Sequence, residues 1–230
     1  MTNKLAQSIV VCIALLVHVN SFSQPIIRVD SLTYLALGDS YTVGRFVATS
    51  GTFPYQLVDK LNSKGLKVAS PAVIAQNGWR TDELFNGVIA AKPQPTFDFV
   101  TLLIGVNNQY QQRPRDVYQT EFVQLLNAAI ILAKGSPQHV FVLSIPDWSV
   151  TPFANGRNLD KIAAEIDEYN RINKEATEKA GARYINITSL SRDGALDAEM
   201  VTADKLHPSA RMYEWWVRRI ASVILKEFKK

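Results

Sequence analysis

The stretch "LTYLALGDSYTVG", residues 32–44, decides how the chain is read. Leu32, Tyr34, Leu35, Ala36 and Leu37 form an apolar run with no polar alternation, as expected of a strand buried on both faces of a parallel sheet. The run stops at Gly38-Asp39-Ser40. Small polar residues there can make a simple turn. They can also present Ser40 as a nucleophile at the carboxyl edge of the sheet, where open α/β sheets place their ligands. The rest of the chain has to choose between the two.

Working outward, apolar β-rich runs alternate with helical patterns. The run at 32–37 is followed by a helix expected over 55–64, with Pro54 suited to its first turn. "PAVIA" (71–75) precedes a helix over 82–91, for which Thr81 is the expected cap and Asp82-Glu83 complement the dipole. "FDFVTLLIG" (97–105) precedes a helix over 117–134, and "HVFVLSI" (139–145) one over 159–180. "ARYINI" (182–187) is followed by a last helix over 210–228, whose Met212, Trp216, Ile220 and Val223 fall at core-facing spacing. Strand–helix alternation of this kind implies right-handed crossovers and a mainly parallel five-stranded sheet in a three-layer α/β/α sandwich. The carboxyl edge of that sheet then collects Gly38–Ser40, Gly78, Gly105–Asn108 and the loop after Pro146.

Residues 1–23 are set apart from this domain. Lys4, the apolar run "IVVCIALLVHV" and the exit "NSFS" have the layout of a secretory signal peptide, and the run is short for a membrane span. The expectation is an exported chain, periplasmic or secreted, with residues 24–230 as a single domain. Cys12 lies inside the apolar run and would leave with it, so the mature chain offers neither disulfide nor thiolate chemistry. The formal charge of +4 falls to +3 with loss of Lys4. That excess is spread out, with "KEFKK" as the one cluster, so nucleic acid is not an expected partner.

A serine nucleophile needs a base, and outside the first 23 residues the histidines are His139 and His207. His139 opens a strand and belongs at the far side of the sheet from Ser40. His207 sits in "ADKLHPSAR" before the last helix, three residues after Asp204, which can orient its imidazole and stabilise the cation. Acyl transfer also requires donors for the developing oxyanion. Gly78 and Asn107 each follow a strand at the expected edge; a glycine lets the backbone N–H approach closely, and an asparagine amide donates without charge. Separated histidines cannot supply an ordinary zinc site, and neither metal nor cofactor is expected.

Gly-Asp-Ser after the first strand, Gly after the second, Gly-x-Asn after the third and Asp-x-x-His before the last helix occur in an order that resembles the SGNH hydrolases, also called GDSL esterases and lipases. The resemblance runs from Leu32 to the last helix. It implies a flavodoxin-like α/β fold and a serine hydrolase of carboxylic esters. It further implies Ser40 as nucleophile, His207 as base, Asp204 as its orienter, and an oxyanion hole from the Ser40 and Gly78 N–H groups with the Asn107 side chain. Asp39 belongs to the motif with a structural role. The family usually reads Gly-x-Asn-Asp in its third block, whereas this chain has Gly105-Val106-Asn107-Asn108, so a negative charge is missing. The Gly-x-Ser-x-Gly elbow of α/β-hydrolases is absent, since Thr42 occupies its second glycine position.

The expected substrate is a small acyl ester with a short or soluble acyl group, because no long insertion offers a lipase lid. An acetylated carbohydrate is the alternative, with Trp79, Tyr110 and Trp148 as rim aromatics able to stack on a sugar. A non-catalytic flavodoxin-like binding module is the competing class. Against it, "GDSYTVGR" lacks a Gly-x-Gly phosphate cradle.

Overall fold

A computed structural model describes residues 31–229. The expected signal peptide lies outside them. Five strands, β1 (Tyr34–Gly38), β2 (Ala72–Ala75), β3 (Phe99–Leu103), β4 (Val140–Leu143) and β5 (Arg183–Ile185), form one sheet in the order β2-β1-β3-β4-β5. Every ladder is parallel. β1, β3 and β4 are buried along their whole length, which explains their lack of polar alternation. β2, at an edge, is half exposed.

The long helices are α2 (Phe53–Ser63), α3 (Thr81–Ala91), α5 (Arg115–Leu132), α6 (Leu159–Lys179) and α8 (Ala210–Phe228). Shorter helices α1 (Ser40–Val43), α4 (Val106–Tyr110) and α7 (Thr188–Asp193) follow β1, β3 and β5 directly. α2 packs on α8 in one layer, while α3, α5 and α6 pack in sequence as the other. This is the expected three-layer α/β/α sandwich. α8 buries Met212, Trp216 and Ile220 as their spacing predicts, with Val223 half-buried at the margin. Trp216 packs against Phe53 and Tyr213 and is fully buried, so its truncation to alanine would cost about 3–5 kcal/mol.

Two details depart from expectation. Arg80, not Thr81, occupies the N-cap of α3, and its N–H donates to the Glu83 carboxylate at 3.0 Å. Thr81 lies inside the first turn because its polar atoms are committed to neighbouring elements. β5 is also shorter than 182–187: the buried Ser144 Oγ accepts from the Ile187 and Thr188 N–H groups, turning the chain out of the sheet into α7.

The strand order positions the site. From β1 the chain moves outward to β2, then returns across β1 to build β3 and the remaining strands. The crevice between the carboxyl ends of β1 and β3 is therefore the topological switch point, where flanking crossovers diverge and leave room for a ligand. Gly38 pairs with Leu103 at that point. A Cβ on Gly38 would stand 2.1 Å from Thr42 Oγ1 and 2.5 Å from the Leu103 carbonyl oxygen, so glycine alone lets α1 turn immediately off β1.

Candidate active site

Asp39 begins the turn. Its buried carboxylate caps α1, accepting from the Tyr41 N–H at 2.9 Å, while its second oxygen has no partner among the described residues. Burial lifts this carboxyl to about 7, more than its hydrogen bonds lower it. Ser40 is the first residue of α1 and is 6% exposed.

His207 reaches Ser40 from the other end of the chain. Its loop is closed by an antiparallel bridge between Val201 and Pro208, with the Thr202 N–H donating to the His207 carbonyl at 2.8 Å. Inside this loop Asp204 Oδ1 accepts from the Leu206 and His207 N–H groups at 3.0 Å each and from the Thr202 hydroxyl at 2.8 Å. Its other oxygen lies 2.6 Å from His207 Nδ1, and His207 Nε2 lies 2.9 Å from Ser40 Oγ. Burial alone would raise the Asp204 carboxyl, but these hydrogen bonds outweigh it and hold the group well below the usual carboxylate range. An ionised Asp204 places the imidazole proton on Nδ1 and leaves the Nε2 lone pair facing the serine hydroxyl, the arrangement needed to take its proton.

The candidate oxyanion donors belong to residues that line the same cavity. Among the described residues no protein acceptor takes the Ser40 or Gly78 N–H. Gly78 has φ +83° and nothing within 4 Å of where a Cβ would stand, so its backbone is open to a ligand. Asn107, in the first turn of α4, donates through Nδ2 to the Trp79 carbonyl at 2.9 Å, which fixes its amide and leaves the second amide hydrogen free.

Ser40, His207, Asp204, Gly78 and Asn107 all line one cavity of about 390 Å³. Tyr110 and Trp148 line it too. Trp79 does not: its ring lies against Gly87 of α3, where a Cβ would come within 2.3 Å of the indole, and only its carbonyl serves the site. His139 sits in a 3₁₀ turn before β4, at the amino end of the sheet, with its ring stacked on Phe228 at 4.6 Å.

Several neighbours carried no readable sequence signal. Phe46, held at φ +64°, meets the His207 ring edge-on at 6.4 Å. Gln109 Oε1 accepts from the Trp148 indole at 2.8 Å while its Nε2 donates to Glu165 at 2.7 Å, anchoring the aromatic wall to α6. Thr202 was within reach of pattern reading only as a turn residue, since Ser and Thr hydroxyls often bond within their own turn.

Asn108 is fully buried and never reaches the cavity. Its Oδ1 accepts from the Thr81 N–H at 3.1 Å, and its Nδ2 donates to Thr81 Oγ1 at 2.7 Å. The Thr81 hydroxyl in turn donates to the Glu121 carboxylate of α5. Asn108 thus ties α4, and with it Asn107, to the start of α3, and the negative charge at this point stands on Glu121.

Comparison with known proteins bears on this arrangement. Among solved structures, a psychrotrophic esterase from Pseudoalteromonas sp. superposes with TM-score 0.67 at 16% identity, covering 87% of this chain and 100% of its own. A member of the lipolytic protein G-D-S-L family from Veillonella parvula gives 0.64 at 18%, covering 87% and 100%. An acetyl xylan esterase from Geobacillus stearothermophilus gives 0.61 at 19%, covering 84% and 94%. At these identities the likeness establishes the fold. No functionally curated protein matches. The profile of the GDSL-like Lipase/Acylhydrolase family matches residues 36–215, from the middle of β1 into α8, and so takes in β2 to β5, the carboxyl end of β1 and every residue lining the cavity. This chain is therefore a member of the GDSL-like lipase/acylhydrolase family, serine hydrolases of ester bonds.

Proposed function

We propose that the protein is an exported esterase that cleaves small acyl esters through a Ser40–His207–Asp204 triad and an acyl-enzyme intermediate. The continuous hydrogen-bonded line from Asp204 Oδ2 through the imidazole to Ser40 Oγ, open to a cavity, carries this reading. His207 Nε2 takes the serine proton as Ser40 Oγ attacks the ester carbonyl. The carbonyl oxygen gains a full negative charge and is met by the Ser40 and Gly78 N–H groups and the Asn107 amide. Collapse of the tetrahedral species breaks the bond to the alcohol, which leaves with the proton held on His207. Water then attacks the acyl-enzyme by the same route, releasing the acid and restoring Ser40.

A cavity of about 390 Å³ suits a short acyl group with a small alcohol. Export rests on the sequence pattern of residues 1–23. A carbohydrate O-acetyl substrate is favoured by one observation: Tyr110, Trp148 and Phe153 line the cavity together, and aromatic faces stack on sugars. The Geobacillus neighbour is an acetyl xylan esterase.

The test is a fluorophosphonate probe together with a panel of p-nitrophenyl acyl esters and acetylated sugars. Labelling and turnover that both disappear in a folded Ser40→Ala variant are expected. Labelling that persists on another serine would overturn the assignment, and absence of both in the native protein would leave a binding module.

A further inference from the structure

Two arginines have no acidic partner among the described residues: Arg45 on the cavity wall, and Arg157 in the groove that adjoins the cavity across Tyr110 and Trp148. Arg45 lines the wall, its guanidinium 4.9 Å from the centre of the Phe46 ring, and Phe46 flanks His207. Arg157 lies over three rings that line the same cavity, at 5.5 Å from Tyr110, 5.5 Å from Trp148 and 5.1 Å from Phe153. Neither forms an ion pair among the described residues; the one polar contact of Arg157 is with the Tyr110 hydroxyl at 3.5 Å. Among the described residues the sole carboxylate lining the cavity is Asp204, whose oxygens are taken by His207, Leu206 and Thr202. Glu165, behind the aromatic wall, is occupied by Gln109, Gln112 and Lys161. Among the described residues the cavity wall therefore carries the unpaired charge of Arg45 and no free negative one, and Arg157 adds a second unpaired charge in the groove beyond the aromatic wall.

Guanidinium groups remain ionised at any working pH and offer planar forks of donors that match carboxylate and phosphate oxygens. Stacking on aromatic rings holds the planes while leaving the N–H edges free. The leaving alcohol must receive its proton from His207, so it departs on the His207 side of the cavity, which is also the side of Phe46 and Arg45.

From this we propose that the natural ester is anionic, with a carboxylate or phosphate on its alcohol portion that Arg45 receives, while Arg157 adds its charge from the groove beside the aromatic wall. The proposal rests on the esterase reading above and adds the charge of the substrate to it.

The experiment compares acetate release from three soluble esters of one acyl group and similar alcohols: glycerol monoacetate, acetylglycerol phosphate and O-acetylglycerate. The quantity read is the ratio of kcat/KM for each anionic ester to that for the neutral one, in the full chain and in Arg45→Gln and Arg157→Gln. A ratio above one is expected, falling roughly two- to fivefold in each variant, the scale of a single exposed charge pair. It should also fall as NaCl approaches about 1 M, where the screening length shrinks to about 3 Å. Whichever anionic ester shows the larger ratio identifies the anion. A native ratio at or below one, or one that neither substitution moves, overturns this inference while leaving the esterase reading intact. No turnover of any of the three by folded protein overturns both.

Discussion

His207 Nε2 stands 2.9 Å from Ser40 Oγ although 167 residues of chain separate them. Nothing local holds that distance: Ser40 is set by the turn off β1, and His207 by its own closed loop before α8. Tyr213 links the two, since its hydroxyl donates to the Tyr41 carbonyl at 2.9 Å within the core. If this pair performs the chemistry, Ser40→Ala and His207→Ala should each fold normally and lose roughly 10⁴–10⁶ in kcat. His139→Ala, at the opposite edge of the sheet, should retain nearly full turnover. Steady-state kinetics of the three variants decide the matter, and equal losses from the two histidines would refute the base assignment.

Asp204 sets the tautomer of that imidazole and also closes the loop. Asp204→Asn should therefore combine a kcat loss of about 10⁴, from the wrong tautomer facing Ser40, with a drop in thermal stability. Thr202→Val removes one of the bonds to Oδ1 without touching the ring. It should cost about 1 kcal/mol of stability and little activity. A Thr202→Val loss in kcat as large as that of Asp204→Asn would mean that loop closure, not the tautomer, governs the rate.

The two aspartates push stability in opposite directions with pH. Asp39 is raised in the fold to about 7, above the usual unfolded value near 3.9, so the folded state keeps a proton that the unfolded chain releases. Its contribution is favourable below about pH 4 and is lost as pH rises towards 7, by at most about 1.4 kcal/mol per unit. Asp204 is depressed, so its stabilisation is present above the unfolded value and lost as the solution becomes more acid. Asp39→Asn keeps an acceptor for the Tyr41 N–H and removes the titration. Its melting temperature relative to the native protein should rise between pH 4 and pH 7. A difference that stays constant across that window would mean that Asp39 ionises as an ordinary carboxylate.

Asn107 is placed to act on the transition state, because the ground-state carbonyl lacks the charge that its free amide hydrogen would meet. Asn107→Ala should lower kcat by roughly 10²–10³ with KM little changed. Near-normal kcat in a folded variant would reduce the Gly105–Asn107 turn to a structural element.

Much of the fold could be read because the information is repetitive. Buried parallel strands are apolar runs, and the α8 face recurs at helical spacing, so single residues hardly matter. Ser40 could be singled out because a buried strand ends there in small polar residues, and Asp204 and His207 because they stand three residues apart in a polar loop before the last helix. Trp79 shows the limit. Composition places an indole near the edge, but the side chain has a choice of faces, and the space over Gly87 takes it. Arg45, Phe46 and Arg157 were equally invisible, since exposed loop residues follow no period and find their aromatic neighbours at the site only in the folded molecule.

Asn108 stands where the family usually carries an aspartate, and its surroundings explain the neutral residue. The Thr81 hydroxyl has a single proton, given to Glu121, and its oxygen accepts from Asn108 Nδ2. Asn108→Asp would replace that donor by a second acceptor, leaving one of two carboxylates without the Thr81 proton and setting like charges against each other. This should cost about 1–3 kcal/mol, the penalty for a buried polar group without a partner. Because Asn107 lies next in the chain, kcat should fall as well. Adding Glu121→Gln supplies an amide that can donate to Thr81 Oγ1 and frees its proton for the new aspartate. The double variant should thus recover most of the stability and rate that Asn108→Asp loses, although Glu121→Gln alone is destabilising. Thermal melts and kinetics of the four proteins form a double-mutant cycle whose coupling should be favourable by 1 kcal/mol or more, on the order seen for residues of one network. Additive losses would mean that Glu121 does not carry the charge the third block lacks.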